Sequence, residues 1–374
     1  MIVLENVTKI FPGHEKPAVN NLTLEVKEGE ICVFVGPSGC GKTTTMKMIN
    51  RIHDVTEGKI YVNGEDIYQA DANSLRRNIG YVIQEIGLFP HMTIEENVAT
   101  VPRELKWPRN KTKERVDELL ALVGLDPSIY AKRRPSALSG GQRQRVGVAR
   151  AMAADPPVLL MDEPFGAVDP ITRGRLQNEF LRLQEQMKKT IVFVTHDIDE
   201  AIKMGDKIAV MREGDLVQYS APDELLSTPK NEFVASLVGR NRSIKRLHLI
   251  QAGSVVKPEL PVLGLNDTLR KIKESLEESP LEVVAVVDEQ DRLKGVISQS
   301  DIKNIKDEGK TASEIYSEIL NYCTDDATLN DVLSIMLNYG EGYVVVTGED
   351  EKVQGLITLG DIMGVVKDES NSAA

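Results

Sequence analysis

Apolar positions along this chain come in two rhythms. Unbroken runs such as Ile31-Cys32-Val33-Phe34-Val35, Val158-Leu159-Leu160-Met161 and Ile191-Val192-Phe193-Val194 leave no polar face. A run without a polar face predicts a strand covered on both sides, as in a parallel sheet flanked by helices. Elsewhere apolar residues return at helical spacing, as at Leu176, Phe180, Leu183 and Met187. Residues 43–49 and 142–153 read as further helices. Strands interleaved with helices predict an α/β domain of the doubly wound kind, whose ligands bind beyond the carboxyl ends of its strands.

The pattern then duplicates itself. Val283-Val284-Ala285-Val286-Val287 leads to Leu293-Lys294-Gly295-Val296-Ile297-Ser298, and sixty residues on Tyr343-Val344-Val345-Val346-Thr347 leads to Val353-Gln354-Gly355-Leu356-Ile357-Thr358. Gly295 maps to Gly355, Ser298 to Thr358, Asp301 to Asp361 and Thr268-Leu269 to Thr328-Leu329. One spacing fits all of them, which makes this an internal repeat. Each copy reads as a helix, a strand, an acidic turn, a second strand and a closing helix.

Length and charge sharpen this division. A chain of 374 residues suggests two or three domains at roughly 150 residues each. The net charge of −12 falls unevenly, with about −1 over residues 1–242 and −11 over 243–374, as two modules of separate history would give. The acidic half argues against nucleic acid as a partner, because phosphate binding needs a basic face. No stretch approaches the ~18 uninterrupted apolar residues of a membrane helix. Met1-Ile2-Val3-Leu4-Glu5 has neither the basic region nor the apolar core of a signal peptide. A protein of the cytosol, or peripheral on the cytosolic side of a membrane, is expected. Cys32, Cys40 and Cys323 are too scattered for a disulfide framework or a zinc site.

The candidate chemistry sits at the ends of the apolar runs. After the first comes Gly36-Pro37-Ser38-Gly39-Cys40-Gly41-Lys42-Thr43, followed by Thr44 and a helical stretch. This matches the phosphate-binding loop G-x-x-x-x-G-K-[ST]. Glycines admit a phosphate to the backbone N–H groups, the helix start adds partial positive charge, and Lys42 adds a full one. The second run ends at Asp162-Glu163. Asp162 would hold Mg²⁺ with the Thr43 hydroxyl, and Glu163 would polarise the attacking water as general base. The third run ends at His196-Asp197, where an imidazole can reach a terminal phosphate and orient that water. Cys40, inside the loop at a helix start, is expected to be a thiol whose alkylation blocks ATP.

The order of phosphate loop, Gln84, Leu138-Ser139-Gly140-Gly141-Gln142, Asp162-Glu163, Ala167-Val168-Asp169 and His196 resembles the nucleotide-binding subunit of an ABC transporter over about residues 1–240. The resemblance implies a RecA-like core with a helical subdomain and an antiparallel β subdomain, binding ATP and Mg²⁺. It also implies a head-to-tail homodimer in which Ser139, Gly140, Gly141 and Gln142 face the ATP held by the partner's phosphate loop, and it counts Asp169 among the nucleotide-binding residues. Gln84 would sense Mg²⁺ and the γ-phosphate, and Phe11 would stack on adenine unless it is a core residue. Gly166 stands where the family commonly has serine. Leu88-Phe89-Pro90-His91-Met92 is similar to the groove that grips a membrane subunit, and otherwise reads as a surface loop with two buried anchors.

The repeat resembles a tandem of CBS modules, α/β units that bind adenosine nucleotides; the expected bounds are 250–308 and 309–367, with a disordered tail at 368–374. Ser298, Asp301, Thr358 and Asp361 sit where that family contacts ribose and phosphate, although Ser/Thr-x-x-Asp before a helix is also an ordinary cap. Tyr343 and Ile357 would line the second cleft and sandwich a purine, with cyclic di-AMP as the expected ligand. ATPases with such a pair resemble subunits energising uptake of quaternary ammonium osmoprotectants: glycine betaine, carnitine and choline. Two membrane permease subunits and an extracellular substrate-binding protein are then the expected partners, at the cytoplasmic face of the membrane. Another importer class, or a soluble nucleotide sensor uncoupled from transport, remains the alternative.

Overall fold

The computed structural model describes residues 1–374 except 84–86, 167, 240, 280, 304, 306–307 and 368–374. The expected tail therefore lies outside the described residues. The chain divides into two compact units, Met1–Arg240 and Asn241–Ala374.

The three apolar runs are neighbours at the centre of the first unit. Its six-stranded sheet has the order Asp215–Ser220, Lys207–Arg212, Ile31–Val35, Thr190–Thr195, Val158–Asp162 and Ile79–Val82. Every pairing is parallel except that of Asp215–Ser220, which runs antiparallel along one edge. Each residue of Ile31–Val35, Val158–Asp162 and Thr190–Thr195 is buried, as strands covered on both faces must be. A second, antiparallel sheet of Val19–Val26, Ile2–Lys9, Glu57–Val62 and Glu65–Asp66 packs its apolar face into the same core. Short helices and the longer Arg109–Leu122 and Gly140–Met152 form the helical part. These are the core, antiparallel and helical subdomains that the sequence led us to expect.

The second unit holds two three-stranded sheets, Val262–Gly264 with Val283–Val287 and Leu293–Ser298, and Tyr322–Thr324 with Tyr343–Thr347 and Val353–Thr358. Their registers agree at a sixty-residue offset: Val283 pairs with Ser298 as Tyr343 pairs with Thr358. The two sheets share one apolar cluster, built from Val283, Ala285, Val296, Val345 and Leu356. The segment leading into each copy bonds to the other copy. Lys257 and Leu356 exchange N–H···O bonds of 3.0 Å, and Ser317 and Val296 exchange bonds of 3.0 and 3.1 Å. Gly295 and Gly355 stand at these crossings because a Cβ would come within 2.2 and 2.0 Å of the passing carbonyl oxygens.

Candidate phosphate and metal site

The phosphate loop leaves strand Ile31–Val35 and enters helix Lys42–Ile49. Two of its glycines are demanded by geometry. At Gly36 (φ +150°) a Cβ would stand 2.1 Å from the Met211 carbonyl oxygen, and at Gly41 (φ +104°) 2.4 Å from that of Ala18. The tip, Pro37, Ser38 and Gly39, is exposed, and Thr44 lies half-buried in the first helical turn. Lys42 is 7% exposed; its Nζ donates to the Gly36 and Pro37 carbonyls at 2.7 and 3.0 Å. The ammonium is thereby held across the mouth of the loop.

Two acidic residues meet this loop from the sheet. Asp162 ends its strand 3% exposed and accepts a 3.1 Å bond from the Thr43 hydroxyl. Burial, and secondarily the charge on Glu163, push the Asp162 carboxyl up, while Thr43, Lys47 and Lys42 pull against them. Glu163 takes a left-handed backbone, φ +47°. Its N–H donates to Val194 at 2.9 Å, and its carbonyl accepts from Gln144 Nε2 at 2.6 Å and from Gly166 N at 3.1 Å. Glu163 Oε1 lies 3.1 Å from Nδ1 of His196, whose side chain is 66% exposed. One carboxylate thus meets the loop hydroxyl, and the next meets the imidazole beyond the adjacent strand. A hydroxyl and a carboxylate 3.1 Å apart are hard oxygen donors suited to Mg²⁺ completed by phosphate and water.

Other expected residues lie on different elements. Ser139 caps helix Gly140–Met152 in a reciprocal box with Gln142, bonds of 2.9 and 3.3 Å. Gln142 also donates to the Tyr130 hydroxyl at 3.3 Å. No Cβ at Gly140 would meet anything within 4 Å. Asp169 caps helix Pro170–Met187 by accepting from Thr172 N at 3.0 Å, a bond that holds its carboxyl low. Phe11 is half-buried and outside the core cluster, edge-on to His53 at 5.4 Å with Lys9 Nζ 5.1 Å from its ring. Gln84 and Ala167 lie outside the described residues.

Two expectations need correction. Cys40 is 2% exposed and turned into the core cluster, with its N–H donated to the Pro37 carbonyl at 3.3 Å and its Sγ 3.6 Å from Lys42 Nζ. The thiol is packed beneath the loop and closed to solvent. Ile357 is 0% exposed within the second copy's core, because its strand is covered on both faces, so it lines no cleft. Tyr343 is half-buried against the cluster between the two sheets.

The acidic caps of the repeats differ from one another. Asp301 Oδ2 accepts from Ser298 N and Oγ at 2.8 and 2.7 Å. Asp361 Oδ2 accepts from Thr358 N and Oγ1 at 2.8 and 2.6 Å, and its Oδ1 also meets Lys257 Nζ at 2.5 Å. Burial raises the Asp361 carboxyl, but the bonds from Lys257 and Thr358 bring it below the usual range.

Sequence reasoning passed over three residues. Asn97, 0% exposed, clasps Phe89 by N–H and carbonyl at 2.7 and 3.1 Å, and fixes the rim of a cavity of about 320 Å³ lined by Tyr81, Phe89, Thr100 and Arg150. Lys257 lies a hundred residues from its partner. Gln144 is 4% exposed; its signal was a polar residue in register with the buried Val148 and Ala151.

A family model described as ABC transporter matches residues 19–166, and one described as CBS domain matches 252–307 and 312–368. The glycine betaine/carnitine/choline transport ATP-binding protein OpuCA of Bacillus subtilis is 45% identical over 369 residues, 98% of this chain and 97% of the relative. The osmoprotectant import ATP-binding protein OsmV of Salmonella typhimurium is 46% identical over 366 residues, 96% and 94% of the two chains. Among solved structures, a dimer of the ATP-binding cassette MJ0796 bound to ADP and Pi covers 59% of this chain and 99% of its own, with 35% identity and a TM-score of 0.55.

Proposed function

The chain belongs to the ATP-binding subunits of ABC transporters, and from that premise we propose that its homodimer hydrolyses ATP to drive import of quaternary ammonium osmoprotectants. Relatives named for glycine betaine, carnitine and choline align over nearly the whole chain, and this supports the substrate class. Two permease subunits at the cytoplasmic face of the membrane, fed by an extracellular binding protein, would complete the importer. The cavity beside Phe89 would receive the permease.

The observation that carries the reading is the 3.1 Å approach of Glu163 to His196 beside the 3.1 Å pairing of Thr43 with Asp162. The loop N–H groups and Lys42 bind the phosphates, and Phe11 stacks on the adenine. Thr43 and Asp162, with Gln84, would hold Mg²⁺, which when bound neutralises developing charge on the phosphates. Glu163 takes the proton of the attacking water, and His196, fixed through Nδ1, presents Nε2 to the terminal phosphate. Ser139, Gly140, Gly141 and Gln142 of one protomer close over the ATP of its partner, where the helix start favours negative charge. The repeats form an adenine-nucleotide regulator, with Asp301 and Asp361 receiving ribose hydroxyls and cyclic di-AMP the favoured ligand.

Glu163→Gln tests the assignment. It should keep MgATP binding, lower turnover about 10²–10⁴-fold, and hold an ATP-bound dimer visible by size-exclusion chromatography. Wild-type turnover in this variant would overturn it.

A further inference from the structure

Glu163 combines two demands. It must aim a carboxylate, and it must do so from a left-handed backbone, φ +47°, which side chains other than glycine rarely adopt and which persists only where the surroundings over-determine it. Among the described residues, three bonds bear on that constraint. Val194 takes the N–H at 2.9 Å, and Gly166 N and Gln144 Nε2 reach the carbonyl at 3.1 and 2.6 Å. The first two come from backbone and would accompany any side chain at those positions. The third comes from a side chain 4% exposed, on the helix that Ser139 caps and whose first turn carries Gln142.

We infer that Gln144 is a positioning residue for hydrolysis: its amide, bonded to the Glu163 carbonyl, holds the base in the conformation from which its carboxylate reaches His196. This rests on the reading of Glu163 as the general base. Gln144 acts through the Glu163 carbonyl. Its effect is on orientation, and a displacement of about 1 Å at a reacting group costs on the order of 10²-fold in rate.

The test uses the full chain and steady-state ATPase assays on Gln144→Leu, Gln144→Glu and Glu163→Gln. Gln144→Leu should lower kcat about 10²-fold with KM for ATP within about two-fold of wild type, the signature of an interaction felt at the transition state. Gln144→Glu supplies a readout that a purely structural role would not move. Ionised, this side chain faces the carbonyl without a donor; protonated, it donates an O–H. Burial raises a carboxyl's pKa, so the ratio of its kcat to that of wild type should climb several-fold from pH 8 to pH 6. A pH-independent ratio, or wild-type kcat in both Gln144 variants while Glu163→Gln is inactive, overturns the inference. Wild-type turnover in Glu163→Gln would instead remove the reading beneath it.

Discussion

Gly39 and Gly41 occupy the same loop with positive φ, +80° and +104°, yet alanine should cost very different amounts at the two. At Gly39 a Cβ meets nothing within 4 Å, so the penalty is conformational, about 1–2 kcal/mol. At Gly41 the same penalty applies, and the Cβ falls 2.4 Å from the Ala18 carbonyl oxygen, with Val19 and Met211 side chains at 3.2 and 3.3 Å. Ala18 cannot simply step back, because its N–H is tied to the Lys9 carbonyl at 2.7 Å. Overpacking of that kind adds about 1–3 kcal/mol, for a total of roughly 2–5 against a stability of about 5–15 kcal/mol. Trp107, the single tryptophan, lies in the first unit and reports its unfolding. At ~2–4 °C per kcal/mol for a unit of this size, Gly41→Ala should melt on the order of 5 °C below Gly39→Ala. Equal melting temperatures, or the reverse order, would refute the steric argument.

Asp162→Asn should stabilise the nucleotide-free chain at pH 7.5 while abolishing stabilisation by MgATP, because burial makes the ionised carboxyl costly. A raised carboxyl contributes stability that is fully present below its unfolded pKa of ~3.9 and is lost as pH rises through the higher folded value. The advantage of Asn should therefore vanish near pH 4 and grow above it, as read by Trp107 melting; a constant difference would contradict this. Cys32, Cys40 and Cys323 are all buried, so native protein should resist N-ethylmaleimide for as long as it stays folded and take up reagent at all three on denaturation. Rapid modification of Cys40 in the native state, located by mass spectrometry, would show that the thiol is not where the core places it.

How legible a residue was in the sequence depended on whether its chemistry interrupted a pattern. Asp162, Glu163 and His196 stand at the ends of wholly apolar runs, and a buried parallel strand delivers such residues to one edge of the sheet. The meeting of Glu163 with His196 at 3.1 Å follows from the adjacency of strands Val158–Asp162 and Thr190–Thr195, which no local feature states. Cys40 and Ile357 were misjudged for a common reason: sequence position placed them at a site, while the backbone turned both side chains into the core. Lys257 could not be foreseen, since an ion pair across a hundred residues leaves no trace in spacing. Strands Val262–Gly264 and Tyr322–Thr324 are too short to display a period, so each repeat acquires a strand that alternation does not reveal.

The exchanged leading segments of the second unit bear on how such a module can be cut or inherited. Residues 250–257 bond to the later copy, through Leu329 N to Ile250 O at 2.8 Å and the Lys257–Leu356 pair. Residues 310–317 bond to the earlier one, through Leu269 N to Lys310 O at 3.1 Å and the Ser317–Val296 pair. Dividing the chain at the sequence boundary between the copies therefore gives each half a loose arm and an open seat for one. The arms hold equivalent places, Lys257 opposite Leu356 as Ser317 is opposite Val296, so each copy is finished by the segment that leads into the other. Keeping both copies in one polypeptide makes that exchange intramolecular and independent of concentration.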